Sequence, residues 1–174
     1  FAELIADPVA GNMIRTLFVN KKSADKLRAR PEGFEKTKIN TLGMLGAGMM
    51  GSGIALVSAR SGMNVILLDS TEEQAAKGKN YTEKFLEKRV KKGKMTTEAA
   101  AEVLDRITVT TDFNDLAECD LIIEAVFENR EIKADVTQKT EAVISEETIF
   151  ASNTSTLPIS GLAESSSRPE SFIG

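Results

Sequence analysis

The sequence predicts an α/β fold in which helices cover both faces of a doubly wound, mainly parallel sheet, and three observations support this. From Lys38 onward, strand-like apolar runs alternate with helical patterns. Residues 65–68 are apolar at every position, which is typical of a strand covered on both faces. A glycine-rich turn at residues 46–51 separates the first strand pattern from the first helix pattern. Alternating strands and helices favour parallel pairing through right-handed crossovers.

The elements follow from apolar runs, helical periodicity and capping residues. Strands are predicted over residues 39–45, 65–69, 107–110, 121–126 and 148–151, and a last strand begins at 172–174. One helix is predicted over residues 49–60, and another between the fourth and fifth strands, marked by Ile132, Val136 and Val143. Ser70 and Glu73 form a candidate capping box for a long helix, which a turn near Gly93 connects to a helix at 97–104. This pair is a helical hairpin inserted after the second strand.

Residues 1–36 are predicted to form a linker helix and a basic connector, and residues 37–174 the main domain. Asp7 and Pro8 provide an N-cap and a first-turn proline. Apolar residues then recur at helical spacing: Val9, Met13, Ile14, Leu17 and Phe18. The charged stretch 21–33 closes with proline and glycine, which is typical of a linker.

Composition excludes several classes of protein. The 174 residues are 41% hydrophobic and 28% charged, as in a globular domain, and the apolar runs are too short to cross a membrane. A net charge of −4 argues against nucleic acid as the partner. The one cysteine, Cys119, excludes a multi-cysteine metal site and favours a reducing compartment, either cytoplasm or mitochondrial matrix; we expect it to be a small buried apolar residue. The chain has no histidine, so it has no Ser/His or Cys/His nucleophile system.

The glycine-rich turn matches the dinucleotide-binding pattern GxGxxG, at Gly46, Gly48 and Gly51, with Met49 and Met50 between them. Because the glycines follow a strand and open a helix, a Rossmann-type fold is indicated. The first glycine permits the tight turn, the second lets the backbone approach a pyrophosphate, and the third allows close packing. Asp69 ends the second predicted strand. A carboxylate at this position accepts hydrogen bonds from the hydroxyls of the adenine ribose and repels the 2′-phosphate of NADP. The cofactor predicted is therefore NAD.

Two further loops are predicted to lie at the crevice, the one after the fourth strand opposite the glycine turn and the one after the fifth strand at its mouth. Ala125, Val126, Phe127 and Glu128 follow the fourth strand, and Glu128 and Lys133 are predicted to flank the nicotinamide. The same spacing also fits an exposed Glu and Lys that stabilise the start of a helix. After the fifth strand, residues 152–155, including Asn153 and Ser155, are suited to orienting a substrate hydroxyl or the nicotinamide amide. They also fit a plain polar turn.

A cluster of basic residues ends the long helix of the hairpin: Lys84, Lys88, Arg89, Lys91, Lys92 and Lys94. Cations near a helix C-terminus are stabilised by the helix dipole, so a solvated helix end explains them. A landing site for a phosphorylated substrate such as coenzyme A, at Lys88, Lys91 and Lys92, is the alternative.

Three segments together resemble one family. They are LGAGMMGSGIA (residues 45–55), IIEAVFEN (122–129) followed by Lys133, and IFASNTSTLPIS (149–160). In this order they are similar to the NAD-binding domain of L-3-hydroxyacyl-CoA dehydrogenases, and the resemblance spans residues 38–174. The leading helix and basic linker resemble the connection before this domain in the multifunctional α-subunit of the fatty acid oxidation complex, in which an enoyl-CoA hydratase/isomerase domain comes first.

The resemblance implies an enzyme that oxidises the 3-hydroxyl of an acyl-CoA and passes hydride to NAD. It places Met50 and the glycine-loop amides at the pyrophosphate, Asp69 at the adenine ribose, and residues 126–128 with Lys133 at the nicotinamide. Ser155 would lie near the nicotinamide and the substrate hydroxyl, with Asn153 nearby. The family's histidine base, its glutamate partner and its helical domain follow the last strand. We therefore expect this chain to be a fragment that binds NAD without turnover.

Further expectations concern partners and alternative functions. The parent protein is expected to be an oligomer that uses an acyl-CoA substrate, and a thiolase subunit is left open as a partner. A stand-alone NAD-sensing or assembly module is one alternative. A dehydrogenase of small hydroxyacids is another; it shares the glycine loop but does not predict the EAVFEN and ASNTS segments together.

Overall fold

The computed structural model describes residues 2–35 and 37–174, which divide into two compact units, one up to Thr37 and one from Lys38 to Gly174. The first unit contains α1 (Ala2–Ala6), α2 (Pro8–Ile14), a π-helical segment (Arg15–Asn20) and α3 (Lys21–Asp25). The Asp7 carboxylate accepts a hydrogen bond from the Val9 N–H at 2.7 Å, as its capping position predicts. The helical segments continue to Asp25, so the first five residues of the predicted linker are helical.

The second unit is built on six parallel strands. They are β1 (Thr41–Leu45), β2 (Asn64–Leu68), β3 (Ile107–Thr110), β4 (Leu121–Glu124), β5 (Ile149–Ser152) and β6 (Phe172–Ile173). Their order in the sheet is β3-β2-β1-β4-β5-β6. The prediction of a doubly wound, Rossmann-type sheet is confirmed. The chain reverses its direction of travel across the sheet between β1 and β4, and ligands of such sheets bind at this point.

Helices cover both faces of the sheet: α4 (Met49–Arg60), α5 (Glu72–Lys91), α6 (Thr97–Asp105), α7 (Arg130–Glu141) and α8 (Ile159–Ala163). Helices α5 and α6 form the predicted hairpin after β2. Alternate residues of β1 enter different apolar clusters, with Leu42 and Met44 in one and Leu45 in the other. This accounts for the uninterrupted apolar runs, because both faces of the central strands are buried.

The predicted capping box of α5 is wrong by one residue. The N-cap is Thr71, whose hydroxyl accepts from the Gln74 N–H at 3.2 Å. Ser70 is occupied elsewhere, since its N–H and hydroxyl donate to the Asp69 carboxylate at 2.6 and 3.1 Å. The cap therefore falls on the next residue with a side-chain acceptor.

Polar side chains shorten two strands relative to the prediction. The Asp120 carboxylate accepts from the N–H groups of Asn40 and Thr41 at 2.7 and 2.9 Å, so β1 begins at Thr41. These two backbone donors hold the pKa of Asp120 below its ordinary value. The β4 strand ends at Glu124, because the Val126 N–H donates to the Glu124 carboxylate at 2.8 Å instead of continuing the ladder.

Cys119 lies just before β4 and is buried as expected, with 3% of its surface exposed. Burial, followed by the nearby charge of Asp120, raises the pKa of its thiol to about 12. The thiol is therefore protonated and unreactive at neutral pH. Among the helices of the described residues, none combines the length and the hydropathy that a bilayer crossing requires.

Candidate functional site

A crevice of about 1050 Å³ opens where the carboxyl ends of β1, β2 and β4 meet. Its walls include most of the residues that the sequence singles out: Gly46, Gly48, Met49, Met50, Asp69, Ala125, Val126, Phe127 and Glu128. Residues that the sequence reasoning did not select complete them: Leu68, Ser70, Thr111, Phe113, Ile132, Asp135, Val136 and Lys139. The fold thus brings the glycine loop, the end of β2 and the loop after β4 to one space.

The three glycines of the loop meet different surroundings. Gly46 has φ +94°, a left-handed conformation that favours glycine, and a Cβ there would lie 2.7 Å from the Ala125 carbonyl oxygen. A Cβ on Gly51 would lie 1.8 Å from the Gly46 carbonyl oxygen, a distance that no real contact allows. A Cβ on Gly48 would point into open space, with no described residue other than its chain neighbours within 4 Å. Gly46 and Gly51 are therefore required by the fold itself, whereas Gly48 leaves space on the crevice.

Helix α4 begins beside this space, with Gly48 as its N-cap. The first N–H groups of a helix have no partner within the helix, and they lie at the positive end of its dipole. Met49 and Met50 occupy this first turn and are 83% and 51% exposed. The loop therefore offers backbone donors to an anionic group in the crevice.

Asp69 is fixed at the end of β2 by the glycine loop and by its own neighbour. One carboxylate oxygen accepts from the Ala47 N–H at 2.7 Å. The other accepts from the N–H and the hydroxyl of Ser70. Asp69 is partly exposed and lines the crevice. A carboxylate held in this way can accept ribose hydroxyls and would repel a phosphate in the same place.

Glu128 is the acidic side chain of the loop after β4, with 38% of its side chain exposed. It accepts hydrogen bonds from the hydroxyls of Thr154 and Thr156, the latter at 2.8 Å, and lies 3.2 Å from the Lys133 ammonium. Bonds from Thr154, then Thr156, and more weakly Lys133, lower its pKa to about 2. Glu128 is thus ionised at neutral pH and acts as an acceptor rather than as an acid.

Lys133 is buried behind Glu128. Only 2% of its side chain is exposed, and its Nζ lies 2.8 and 3.0 Å from the two carboxylate oxygens of Glu124. The alternative of an exposed lysine at the helix start is therefore wrong, and Lys133 is not part of the crevice lining. A direct contact between Lys133 and a cofactor ribose stays a prediction.

Glu124, which lies behind the crevice, is a further residue that the sequence reasoning missed. It ends an apolar strand and is 1% exposed, and the Ser152 hydroxyl donates to it at 2.7 Å. A signal was present, because a carboxylate inside a strand covered on both faces must have a partner. Lys133, in the first turn of the next helix, was one of the cations available to it.

The segment after β5 adjoins this network without lining the crevice. The Asn153 N–H donates to the Glu124 carbonyl at 2.7 Å, while the Asn153 and Ser155 side chains are exposed. Thr154, in the same segment, bonds to Glu128. The roles predicted for Asn153 and Ser155 at the nicotinamide stay predictions.

The basic cluster at the end of α5 lies away from this crevice. Lys88, Lys91 and Lys92 are exposed, and the Lys91 ammonium lies 3.9 Å from the Glu87 carboxylate. Lys91 also lines a smaller cavity of about 390 Å³ between α5 and α6, next to apolar side chains such as Leu86 and Val90. Of these three lysines the structure places Lys91 at a second cavity, and none of them lines the crevice at the glycine loop.

A family comparison shows to which family the domain belongs. The family model for the 3-hydroxyacyl-CoA dehydrogenase NAD-binding domain matches residues 41–174. The chain belongs to this family. The resemblance seen in the three sequence segments is confirmed, and so is NAD as the cofactor.

Two relatives show what kinds of protein contain a similar domain. A probable 3-hydroxybutyryl-CoA dehydrogenase of Deinococcus radiodurans is 48% identical over 132 residues, covering 76% of this chain and 47% of the relative. The fatty acid oxidation complex subunit alpha of Psychrobacter arcticus is 40% identical over 174 residues, covering all of this chain and 24% of the relative. The chain thus spans from about a quarter to about half the length of these relatives.

Solved structures of similar proteins share the fold. The crystal structure of (S)-3-hydroxybutyryl-CoA dehydrogenase from Ralstonia eutropha superimposes with a TM-score of 0.75 at 37% identity, over 78% of this chain and 48% of that one. A 3-hydroxybutyryl-CoA dehydrogenase from Escherichia coli gives the same TM-score at 33% identity, over 78% of this chain and 29% of that one.

Proposed function

We propose that this chain is the NAD-binding part of an enzyme that oxidises (S)-3-hydroxyacyl-CoA to 3-oxoacyl-CoA. The observation that carries the proposal is the crevice at the carboxyl ends of β1, β2 and β4, which combines a glycine loop at a helix start with a carboxylate after β2. The similarity to proteins named 3-hydroxybutyryl-CoA dehydrogenase supports the substrate class.

The residues of the crevice fit a dinucleotide. The backbone donors at residues 48–50 suit the pyrophosphate, since Gly48 leaves room for it. Asp69 suits the adenine ribose, and Glu128 with residues 125–127 suits the nicotinamide half. Bound there, NAD supplies the acceptor for the hydride that leaves the substrate. In this proposal the chain holds and orients the cofactor, and the group that removes the hydroxyl proton lies outside these residues.

Calorimetry on the 174-residue chain tests the proposal. We expect saturable binding of NAD and weaker binding of NADP, since the Asp69 carboxylate would repel the extra phosphate. If the folded chain shows no saturable heat of binding at millimolar NAD, the assignment of the crevice as the NAD site is overturned. The chain has no histidine to act as base. Turnover of 3-hydroxybutyryl-CoA by this chain alone would therefore contradict the proposal that it holds the cofactor without supplying the base.

A finer part of the proposal places coenzyme A against Lys88, Lys91 and Lys92. Their exposure and the apolar cavity beside Lys91 support it, since coenzyme A combines phosphates with a less polar arm. In a longer protein that contains this chain and is active, replacing all three with alanine should raise the KM for acyl-CoA with little change in kcat. Lys77→Ala, on the same helix, is the matched control. If the triple variant and Lys77→Ala have equal KM values for acyl-CoA, the three lysines do not bind coenzyme A and are a solvated helix end.

Relatives named fatty acid oxidation complex subunit alpha support a proposal about the partners of the whole protein. We include in the proposal a larger, oligomeric assembly in the cytoplasm, with a thiolase subunit as its partner. Co-purification of a thiolase activity with the full-length protein, lost at high salt, would support this; a monomer without that activity would refute it.

A further inference from the structure

The ion pair between Glu124 and Lys133 needs an explanation other than stability. Both side chains are buried, at 1% and 2% exposure. Removing two charges from water is costly, and well-packed apolar residues of similar volume often stabilise a fold at least as well. A buried pair at the edge of a binding crevice therefore suggests a role in placing something else.

The Glu124 carboxylate is fixed from three elements. One oxygen accepts from the Val126 N–H at 2.8 Å and from the Lys133 ammonium at 2.8 Å. The other accepts from the Ser152 hydroxyl at 2.7 Å and from the same ammonium at 3.0 Å. Glu124 thus joins β4 and the loop after it to α7 and to β5.

Lys133 connects the Glu124 network to the wall of the crevice. Its ammonium also lies 3.2 Å from the Glu128 carboxylate. Glu128 lines the crevice, as does Val126, whereas Glu124, Lys133 and Ser152 are not among its lining residues. The buried carboxylate is therefore one contact from the wall through the Val126 N–H, and two contacts from it through Lys133 and Glu128.

We propose that Glu124 is a positioning residue for NAD: acting through Lys133, it holds Glu128 at the wall of the crevice. The inference rests on the proposed function of the crevice as the NAD site. Glu124 fixes the ammonium, and the ammonium fixes the Glu128 carboxylate. The bond from the Val126 N–H needs only an acceptor oxygen, which glutamine also has, so Glu124→Gln tests the route through Lys133.

A double-mutant cycle on the 174-residue chain tests this, with NAD affinity measured by calorimetry and folding followed by thermal unfolding. The variants are Glu124→Gln, Lys133→Met and the two combined. Each single variant should weaken NAD binding by between about 2- and 150-fold, the range of coupling between contacting side chains. The combined variant should bind no more weakly than Lys133→Met alone, because Glu124 has lost the residue through which it acts. The combined variant also removes both buried charges, so it should unfold at a higher temperature than Glu124→Gln.

Controls separate positioning from a purely structural role. The pair Glu73 and Lys77 on α5 has the same 2.8 Å separation but is exposed, so Glu73→Gln and Lys77→Met should leave NAD affinity unchanged. Ser152→Ala removes one bond to Glu124 and no charge, so it should weaken NAD binding by a smaller factor. Should Glu124→Gln fail to fold, the comparison of Lys133→Met with the combined variant still decides.

The outcomes distinguish this inference from the proposed function. A wild-type chain that does not bind NAD would overturn the function of the crevice. A wild-type chain that binds NAD, with losses from Glu124→Gln and Lys133→Met that simply multiply, would overturn the positioning role alone. So would a Glu124→Gln variant that unfolds at a lower temperature but binds NAD as tightly as the wild type.

Discussion

Alanine substitutions at three glycines of the same segment should have three different effects, because their surroundings differ. A Cβ on Gly51 would lie 1.8 Å from a backbone carbonyl oxygen, while Cβ atoms on Gly48 and Gly53 would point into open space. Gly48 lines the crevice, whereas Gly53 lies within α4 and does not. The three positions therefore separate packing, cofactor access and helix propensity.

The magnitudes follow from these distances. Gly51→Ala forces the loop and the helix apart, and overpacking of this kind costs about 1–3 kcal/mol. At about 2–4 °C per kcal/mol for a chain of this size, the Tm should fall by several degrees, and NAD binding should weaken as well. Gly53→Ala should stabilise the helix by about 1 kcal/mol and leave NAD binding unchanged.

Gly48→Ala is the decisive variant. Its backbone, with φ −67° and ψ −169°, is one that alanine adopts freely, so the Tm should stay close to that of the wild type. The new methyl group would occupy the space proposed for the pyrophosphate, and a steric cost of about 1–3 kcal/mol corresponds to about 5- to 150-fold weaker binding. Thermal unfolding and NAD calorimetry on the same samples measure both quantities. Wild-type affinity in Gly48→Ala would refute the path of the pyrophosphate past this residue.

Three further predictions concern single side chains. Asp69→Ala should weaken NAD binding by about 1–3 kcal/mol and narrow the preference over NADP, as calorimetry with both dinucleotides would show; an equal loss for both would mean that only its bond to Ala47 matters. Glu128→Gln should remove a stabilisation that is complete above the ordinary pKa of 4.5 and is lost as the pH falls toward 2, because the folded-state pKa is lowered to about 2. The free energies of unfolding of the wild type and of Glu128→Gln, measured between pH 6 and 2, would check this. A difference between the two that does not depend on pH would contradict it. Cys119, with its thiol pKa raised to about 12, should react with iodoacetamide at pH 8 at least about a thousandfold more slowly in the folded than in the unfolded chain; comparable rates would show that the thiol is accessible.

The sheet and the glycine loop could be predicted because their signals are local. A strand buried on both faces is a short run of apolar residues, and the turn after β1 requires glycine at Gly46 and Gly51 for reasons of backbone geometry. The predicted ends of the helices and strands were less accurate, because side chains from other parts of the chain compete for the hydrogen bonds there. Ser70 is a good cap by composition, but its hydrogen bonds go to Asp69.

The polar network behind the crevice could not be derived in the same way. Glu124 and Lys133 are nine positions apart, in different elements, and Ser152 joins them from a third. In the sequence Glu124 and Ser152 stand at the ends of apolar segments, and Lys133 stands in a charged helix start, so their contact with one another is not visible. Their burial depends on the parallel pairing of β4 with β5, which sets Glu124 beside Ser152 in the register.

The glycine loop is held in shape by the protein's own contacts, and Ala47 is the residue on which they meet. Its N–H donates to Asp69, and its carbonyl accepts from the Ser52 hydroxyl at 2.7 Å. Helix α5 packs against it so closely that a Cβ on Gly78 would lie 2.7 Å from the Ala47 Cβ. Asp69, proposed to bind the ribose, is therefore joined by a hydrogen bond to the loop proposed to hold the pyrophosphate, and the two form one unit. Because this unit is ordered by folding, the entropy of arranging it is not lost again when a ligand binds, and more of the contact energy remains as affinity.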